Sequence, residues 1–341
     1  MQYATLGESG LVVSKLCFGA MTVGSSRSVA LSRIDAAGAE RLVGLAMDQG
    51  VTFFDTADIY NNGDSERVLG GALGARRREA VVATKVGQRV GTGLMEGGLS
   101  ARHIHEAIDG SLRRLGTDWV DVYFCHRTDL LTPLAETLAA LDQVVRSGKA
   151  RYLGFSNWPA WLAAKAIEMQ RANGWAPFVT GQMYYSLLGR DIEAEYVPMA
   201  KHAGVGTMVW GPLTSGFLSG KYSRENPTAG GRLAEFNVTP FDSEVGFATL
   251  DVMREIAAAR NVPLPAVAIA WVKARATVST VIIGFGDERQ MTENLASADL
   301  VLTDEENAAL EAVAAFKTPY PARSMLFYAR DPAVVAVRGK T

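Results

Sequence analysis

Short apolar segments alternate with helix-like segments along almost the whole chain, and this alternation limits the fold more than any other feature. Eight apolar segments of strand length are separated by segments whose apolar residues recur at helical spacing. The predicted strands cover residues 16–18, 52–55, 80–85, 119–125, 152–156, 180–184, 206–210 and 280–283. Several of them are apolar without alternation, which is typical of strands buried on both faces of a parallel sheet. The pattern therefore predicts an α/β protein.

The helix-like segments carry boundary residues of the expected kinds. Ser100 stands where an N-cap is expected, and Pro133 stands in the first turn of a helix that stops at Gly148. The predicted helices cover residues 36–49, 65–73, 100–115, 133–147, 161–172, 195–202, 265–275 and 288–296. Such strict alternation is compatible with a closed barrel or with an open, doubly wound sheet.

The glycine pattern favours the barrel. An open Rossmann-type sheet calls for G-x-G-x-x-G directly after an early strand. The two nearest candidates, which begin at Gly91 and Gly284, lack the third glycine. A length of 341 residues accommodates one TIM (β/α)8 barrel with additions. We therefore expect an α/β TIM barrel in a single domain over residues 1–341.

The segments outside the repeat are predicted to be additions to the barrel. Residues 1–13 contain a Gly-Glu-Ser-Gly turn between β-prone stretches, which predicts an N-terminal β-hairpin that caps the bottom of the barrel. Residues 211–241 form a long loop after strand 7, rich in Gly, Pro, Ser and Thr. Residues 303–315 predict an extra C-terminal helix with a capping box, and the tail 316–341 is predicted to be irregular.

Composition argues against several classes of protein. The formal net charge is -2, so no basic field indicates nucleic acid or anionic lipid as a partner. The four histidines do not cluster, and we expect no metal site. Cys17 and Cys125 lie in strand-like segments, which predicts buried free thiols. No signal peptide and no apolar run of the ~20 residues that cross a bilayer is evident, so we expect a cytoplasmic protein.

Four side chains of complementary chemistry stand at or just after the ends of successive predicted strands. They are Asp55, Tyr60, Lys85 and His126. In a parallel barrel the C-terminal strand ends meet at the face where catalytic residues lie. A phenol has an unperturbed pKa of ~10, and a neighbouring ammonium lowers that pKa by favouring the phenolate. An aspartate keeps such a lysine charged, and a histidine can hydrogen-bond a substrate oxygen.

Together the four residues predict a site that protonates an oxygen as it becomes negative. No serine or cysteine nucleophile with a paired base is evident, so hydride from a nicotinamide is the simplest reaction partner. Each residue alone has a structural reading. Asp55 can be an N-cap or part of an ion pair, Tyr60 a half-buried aromatic residue, and His126 a satisfied polar residue. Their joint occurrence favours a functional site.

A series of short motifs runs along the chain in a specific order. They are S-K-L-C-F-G-A-M-T, F-F-D-T-A-D-I-Y, S-E-R-V-L-G, A-T-K, S-L-R-R-L-G-T-D-W-V-D-V-Y, G-K-A-R-Y-L-G-F-S-N, W-G-P-L-T-S-G-F-L-S-G-K-Y and Q-M-T-E-N-L. Through these motifs the chain resembles the aldo-keto reductase family over nearly its whole length. The resemblance implies the eight-stranded barrel and a nicotinamide cofactor, usually NADPH, bound without a Rossmann domain.

The resemblance also implies catalytic and nicotinamide-binding roles. Tyr60 would be the general acid in reduction and the general base in oxidation, Lys85 paired with Asp55 would lower its pKa, and His126 would orient the carbonyl oxygen. Ser156 and Asn157, with Gln182 as their partner, would hydrogen-bond the nicotinamide carboxamide, and Trp210 would stack on its ring. The other implied cofactor contacts are Thr22, Asp55, Gly211, Leu213, Gly216, Leu218, Lys221, Arg232, Ile283, Gly284, Phe285, Gly286, Gln290, Glu293 and Asn294.

One position departs from the family pattern at the implied adenosine 2'-phosphate site. Many relatives carry Arg or Lys where this chain has Gly286, although a 2'-phosphate prefers cationic partners. Arg289 and Arg232 are candidates to compensate. NADPH is therefore the expected cofactor, and NAD remains an alternative.

Substrate choice in a barrel of this kind comes from the βα loops and the C-terminal segment. The expected substrate contacts are Met21, Tyr60, His126 and Trp158, although Trp158 can equally pack against Trp161. This apolar lining favours a neutral aldehyde or ketone, reduced to an alcohol or formed from one, as the small-molecule partner. The alternative is a cofactor-binding regulatory subunit with little turnover, like the channel-associated members of the family. A metal-dependent barrel hydrolase would need clustered ligands that the sequence does not show.

Overall fold

The computed structural model of this chain describes residues 1–25, 34–226 and 240–338. The strands are β1 (Tyr3–Thr5), β2 (Val12–Ser14), β3 (Leu16–Gly19), β4 (Phe53–Asp55), β5 (Val81–Val86), β6 (Val120–Cys125), β7 (Ala150–Ser156), β8 (Phe178–Tyr184), β9 (Gly206–Trp210) and β10 (Val278–Ile283). Strands β3 to β10 close into a barrel in chain order, with β10 beside β3. Every neighbouring pair is parallel, so all eight C-terminal ends open on one side. The predicted TIM barrel is confirmed.

Helices surround the barrel between the strands. They are α1 (Ala36–Asp48), α2 (Asp64–Leu73), α3 (Ala101–Leu115), α4 (Leu134–Arg146), α5 (Ala160–Asn173), α6 (Tyr196–Ala203), α7 (Ser243–Arg260), α8 (Leu264–Lys273), α9 (Glu288–Leu295), α10 (Asp304–Val313), α11 (Ala322–Tyr328) and α12 (Pro332–Arg338). The Ser100 side chain accepts a hydrogen bond from the His103 N–H, and Thr303 forms a capping box with Glu306. Both predicted helix starts are therefore confirmed.

The structure corrects the prediction in two regions. Helix α7, 18 residues long, follows the long loop and was not predicted, although its buried Phe247, Leu250 and Met253 recur at helical spacing. The tail holds α11 and α12, of seven residues each, where the sequence predicted irregular structure. Helices of two turns are too short to establish a periodic pattern in the sequence.

The N-terminal hairpin closes the bottom of the barrel, as predicted. Strands β1 and β2 pair in antiparallel fashion. The Glu8 N–H donates to the Gly204 carbonyl at 2.8 Å, just before β9 begins, and the Gly7 N–H donates to Ser279 Oγ at 3.3 Å. Behind this hairpin lies an apolar cluster inside the barrel, made of Leu6, Val13, Cys17, Phe53, Ala83, Val122, Phe124 and Met208.

Three further properties bear on the class of protein. Cys17 and Cys125 are buried free thiols, as predicted. Within the described ranges, no group of His, Cys, Asp and Glu side chains is arranged to hold a metal ion. None of the helices in those ranges combines the length and the apolar character that crossing a membrane requires.

Candidate active site

Lys85 joins two of the other predicted catalytic residues at the open end of the barrel. Its side chain is fully buried, and its ammonium donates to Asp55 Oδ2 at 2.6 Å and to the Thr56 carbonyl at 2.7 Å. It also donates to the Tyr60 hydroxyl at 3.3 Å. Strands β4 and β5 are neighbours, with Asp55 opposite Ala83, so Lys85 lies one step further along the same inward face. The barrel thus places an ammonium between a carboxylate and a phenol.

The charges of this group support a permanently protonated lysine. Burial by itself lowers the pKa of Lys85, but the charge of Asp55, the contact with Tyr60 and the two hydrogen bonds outweigh burial and raise that pKa. Burial raises the pKa of Asp55, and Lys85 and Gln182 oppose this by favouring its charged form. A cation held 3.3 Å from a phenol oxygen favours the phenolate form.

His126 is the fourth predicted catalytic residue and lies at the end of the next strand. It follows β6 directly, and its backbone N–H donates to the Val86 carbonyl at 2.8 Å. Its ring lies edge-on to the Tyr60 ring, with 5.7 Å between the centroids. Burial, followed by the charges of Lys85 and Arg127, lowers the pKa of His126 to about 3. The imidazole is therefore neutral near pH 7 and offers one N–H donor and one acceptor.

Gln182 has a contact that the sequence analysis missed. Its side-chain Nε2 donates to Asp55 Oδ1 at 2.9 Å across the barrel interior, while Lys85 holds the other carboxylate oxygen. These two donors orient the carboxylate. No local pattern could have shown this pairing, because 127 residues separate the two positions. Only closure of the barrel brings the ends of β4 and β8 together.

Ser156, Asn157 and Trp210 form a connected group at the ends of β7 and β9. Asn157 has a left-handed backbone, with φ of 55°, and its side-chain Nδ2 donates to Ser156 Oγ at 3.0 Å. The Trp210 indole N–H donates to Asn157 Oδ1 at 3.0 Å. Tyr184, which the sequence analysis did not single out, backs the indole at 5.1 Å between centroids. The indole is half-buried and is fixed by both contacts.

The loop after β9 contains three glycines with left-handed backbone. Gly211, Gly216 and Gly220 have φ between 70° and 87°, a region that only glycine adopts readily, and such turns direct N–H groups toward an anion. Leu218 is fully buried and Leu213 packs against the same core cluster. The Leu218 N–H donates to the Leu213 carbonyl at 3.1 Å, so these two leucines pair with each other within the turn.

Of the two cations predicted in this region, Lys221 and Arg232, the structure describes Lys221. A Cβ built on Gly216 would lie 3.1 Å from the Lys221 Nζ, so the Lys221 ammonium sits against the turn of this loop. Arg232 lies outside the described residues.

The last βα unit places several predicted cofactor residues beside the same end of the barrel. Ile283 and Phe285 are buried, and the Phe285 carbonyl accepts from Thr22 Oγ1 at 2.8 Å. A Cβ built on Gly284 meets nothing within 4 Å, which leaves open space beside the backbone there. Asn294 Nδ2 donates to the Gly284 carbonyl at 2.9 Å and so fixes this turn.

The start of α9 is more acidic than a phosphate site usually is. The Gly286 N–H donates to Gln290 Oε1 at 2.9 Å, and the Asp287 carboxylate caps the helix by accepting from the Gln290 N–H at 2.8 Å. Arg289, a candidate to compensate for Gly286, instead pairs with Glu293 at 2.6 Å.

The residues at the open end fit a nicotinamide dinucleotide. The group offers a half-buried indole, the Asn157 amide, a loop of left-handed backbone and open space at Gly284. An aromatic face and amide donors suit a nicotinamide ring and its carboxamide, and the glycines of the loop allow a pyrophosphate to approach its backbone closely. The acidic start of α9 fits a 2'-phosphate less well.

Two predicted substrate contacts have different surroundings. Met21 is half-buried, and its carbonyl accepts from Asn61 Nδ2 at 3.3 Å, which ties the loop after β3 to the segment that follows Tyr60. Trp158 is only 2% exposed and packs against Phe155 and Phe178, with centroids 5.7 and 5.6 Å apart. The structure thus does not bring the Trp158 ring to the open face, because two aromatic neighbours hold it in the layer behind the barrel.

Large apolar side chains surround the open end. Leu94 and Met95 lie in the loop after β5, Leu130 and Leu131 in the loop after β6, and all four are more than half exposed. We call these four residues the apolar rim. Asp129 joins the two loops, since its Oδ2 accepts from the Leu99 N–H at 2.6 Å. Both loops follow strands whose C-terminal ends carry Lys85 and lead into His126, so the apolar rim belongs to the loops of the open end.

Comparison with known proteins identifies relatives for nearly the whole chain. Residues 15–315 match the model of the Aldo/keto reductase family. A probable voltage-gated potassium channel subunit beta of Oryza sativa subsp. japonica is 37% identical, over 92% of this chain and 96% of its own length. Versiconal hemiacetal acetate reductase of Aspergillus parasiticus is 35% identical over 91% and 96%. Aldo-keto reductase AMT2 of Alternaria alternata is 34% identical over 91% and 90%.

Proposed function

The chain belongs to the aldo/keto reductase family of oxidoreductases, and we propose that it transfers a hydride between NADP(H) and a neutral aldehyde or ketone, with Tyr60 as the proton donor. One observation carries this proposal. The Lys85 ammonium lies 2.6 Å from Asp55 Oδ2 and 3.3 Å from the Tyr60 hydroxyl. This is the arrangement that makes a phenol a usable acid near neutral pH.

Each residue has one task in the proposed reaction. Tyr60 donates its hydroxyl proton to the carbonyl oxygen during reduction and accepts a proton during oxidation. Lys85 stabilises the resulting phenolate, and Asp55 keeps Lys85 charged and in place. Gln182 orients Asp55 by its hydrogen bond of 2.9 Å. His126, neutral because its pKa is lowered to about 3, donates a hydrogen bond to the substrate oxygen without competing as an acid.

The cofactor would occupy the groups that line the open end. Ser156, Asn157 and Gln182 would hold the nicotinamide carboxamide, and Trp210 would support the ring. The loop that begins at Gly211 would surround the pyrophosphate, with Lys221 as a nearby cation. The turn at Gly284–Gly286 would adjoin the adenosine. When bound, the nicotinamide supplies or accepts the hydride, a reaction that amino-acid side chains cannot perform.

We infer a neutral substrate from the apolar rim. Four exposed leucine and methionine side chains lie in two loops of the open end, and their contact with an apolar substrate would remove water from both surfaces. A carboxylate substrate would gain nothing from such a border. The expected small-molecule partner is therefore an aldehyde or ketone with an apolar body.

The test combines an NADPH oxidation assay with one conservative substitution. Wild-type protein should oxidise NADPH with apolar aldehydes or ketones and act more weakly on matched carbonyl compounds that carry a carboxylate. Tyr60→Phe should lower kcat about 10²- to 10⁴-fold while the quenching of tryptophan fluorescence by NADPH stays close to that of wild type. Tyr196→Phe is the matched control, because it removes a buried phenol hydroxyl that donates to the Gly181 carbonyl and has no contact with Asp55, Lys85 or His126. Wild-type turnover in Tyr60→Phe would exclude the proposed proton donor.

A second candidate function follows from the similarity to a probable voltage-gated potassium channel subunit beta. In that case the chain would hold its cofactor as a regulatory subunit and turn over slowly. The two functions differ in the fate of bound NADPH on addition of a carbonyl substrate. Repeated oxidation favours the enzyme, whereas a single slow oxidation with the cofactor retained favours the regulatory subunit.

A further inference from the structure

Asp129 connects the two loops that carry the apolar rim. Its Oδ2 accepts from the Leu99 N–H at 2.6 Å, at the end of the loop after β5. In its own loop after β6, Oδ1 accepts from the Leu131 N–H at 2.8 Å and Oδ2 from the Thr132 hydroxyl at 2.7 Å. Burial raises the pKa of Asp129, but these hydrogen bonds outweigh burial and hold that pKa below its ordinary value. The carboxylate is therefore ionised near pH 7, and hydrogen bonds to an ionised group are stronger than those between neutral groups.

The loop after β5 gives Asp129 a fixed point of attachment. Leu99 is 1% exposed and belongs to the main apolar core. Its carbonyl accepts from Thr137 Oγ1 of α4 at 2.9 Å, while its N–H donates to Asp129. Packing and hydrogen bonds on both sides thus hold Leu99 in one place, and a segment that is bonded to it is held as well.

The loop after β6 has no comparable packing. Leu130 and Leu131 are 96% and 93% exposed, so their side chains bury almost no area that would fix the backbone. The hydrogen bonds that the structure describes for residues 128–132 all involve Asp129. The conformation of this loop, and with it the position of both leucines, therefore depends on the Asp129 carboxylate.

The two loops leave the barrel side by side at the candidate active site. The His126 backbone N–H donates to the Val86 carbonyl at 2.8 Å, and Arg127 Nε donates to the Gly87 carbonyl at 3.3 Å. Leu130 follows His126 by four residues, so its Cα lies at most about 14 Å from that of His126. This distance is within reach of a long alkyl chain together with the leucine side chain.

We propose that Asp129 is a positioning residue that sets the preference of this site for long apolar substrates by fixing Leu130 and Leu131 against the loop after β5. This role rests on the proposed function, in which an aldehyde or ketone is reduced beside His126. With Asp129 in place, an alkyl chain meets an apolar surface that is already ordered. Without the carboxylate, ordering of the loop reduces the free energy of binding. Short substrates, which do not reach the apolar rim, bind equally well in both cases.

The first experiment measures kcat and KM for straight-chain aldehydes from propanal to decanal, with wild type and Asp129→Ala. In wild type, each methylene group that contacts the apolar rim should raise kcat/KM by up to about fourfold. Asp129→Ala should lose about tenfold in kcat/KM for decanal, through a higher KM, and keep both constants for propanal within about twofold of wild type. Asp129→Asn, which keeps one acceptor oxygen, should lie between them. A residue that only supports the fold would change the constants for all aldehydes by the same factor.

Asp142→Ala is the matched control for this comparison. Asp142 of α4 also joins two segments through a backbone donor, because its Oδ1 accepts from the Ala176 N–H at 2.9 Å. Ala176 lies just before β8 begins, at the bottom of the barrel. Asp142→Ala should therefore lower stability and keep the chain-length dependence of wild type. An equal loss for decanal in Asp142→Ala would show that the loss is not specific to the apolar rim and would overturn the proposal.

A second experiment needs neither a substitution nor turnover. In wild-type protein, NMR should show that the Leu99 and Leu131 amides exchange with deuterium at least about tenfold more slowly than unprotected loop amides. Unprotected exchange at Leu131 overturns the proposal even if Asp129→Ala fails to fold. A folded Asp129→Ala that keeps the chain-length dependence of wild type overturns it while leaving the proposed function intact. A wild type that reduces no apolar aldehyde or ketone with NADPH removes the proposed function and this role with it.

Discussion

Two neighbouring layers of side chains fill the same barrel with opposite chemistry. The lower layer, next to the hairpin, is the apolar cluster that includes Phe53, Ala83 and Phe124. The upper layer, one inward-facing position further along the strands, contains Asp55, Lys85 and His126. Inward-facing positions recur every two residues, a step of roughly 6.6 Å along a strand. Within that step the barrel changes from an apolar interior to one that buries an ion pair.

The two layers differ in how much they contribute to the stability of the protein. Each large apolar side chain in the lower layer contributes about 1.5–3 kcal/mol by its burial. A buried ion pair contributes little net stability, because desolvation offsets the attraction between the charges. The lower layer and the surrounding helices therefore stabilise a fold in which the upper layer holds the residues of the proposed proton transfer.

Lys85→Met is the strongest way to break the upper layer. It removes the cation beside Tyr60, so kcat for carbonyl reduction should fall about 10²- to 10⁴-fold. It also leaves Asp55 buried without its partner, which should lower the free energy of unfolding by about 3–5 kcal/mol. Steady-state NADPH oxidation and urea unfolding measure the two effects.

Two companion variants separate these effects of Lys85→Met. Adding Asp55→Leu should restore most of the stability and none of the turnover, because no buried charge is then left unpaired. Lys273→Met removes a buried lysine outside the site, whose Nζ donates to the Ser297 and Ala298 carbonyls. It should lower stability but not turnover per folded molecule. Equal loss of turnover in Lys273→Met would contradict the division into two layers.

Phe53→Ala tests the lower layer. Phe53 is fully buried and lies two residues before Asp55 on β4, so the truncation leaves a cavity and should lower the free energy of unfolding by about 3–5 kcal/mol. At temperatures where the variant stays folded, kcat should remain within a few-fold of wild type. Phe53→Leu should be milder. A loss of turnover as large as that of Lys85→Met, with stability preserved, would show that the lower layer has a catalytic role.

The smallest expected effect comes from the charge of Asp58, a buried acid in the segment after β4. Burial raises the pKa of Asp58 from 3.8 to about 7, which means that ionising this carboxyl lowers the free energy of unfolding. Below about pH 4 the carboxyl is protonated in both the folded and the unfolded state, and this loss of stability is absent. The loss grows by about 1.4 kcal/mol per pH unit until the pH reaches the folded-state pKa. Asp58→Asn has no such pH dependence. Its free energy of unfolding relative to that of wild type should therefore rise by about 2 kcal/mol between about pH 5.5 and about pH 8. A difference in the free energy of unfolding between Asp58→Asn and wild type that is the same at both pH values would contradict the raised pKa.

Local patterns predicted most of the framework. The predicted strand ends at Asp55 and Trp210 coincide with the ends of β4 and β9, and the helix starts after Ser100 and Thr303 were predicted from their caps. Helix α7 was missed although its periodicity was present. Trp158 was predicted to face the substrate, but its chain position two residues past Ser156 does not indicate which way the ring turns.

The sequence alone therefore determined the order of strands and helices and the strand ends at or after which Asp55, Tyr60, Lys85 and His126 stand, because these depend on local periodicity and caps. The missing Rossmann glycines favoured the closed barrel. Tertiary structure decided the pairing of Asp55 with Gln182 and the raised pKa of Asp58. Both depend on residues far apart in the chain that surround one carboxyl group and exclude water from it. Desolvation and the balance of nearby charges exist only once the barrel has closed.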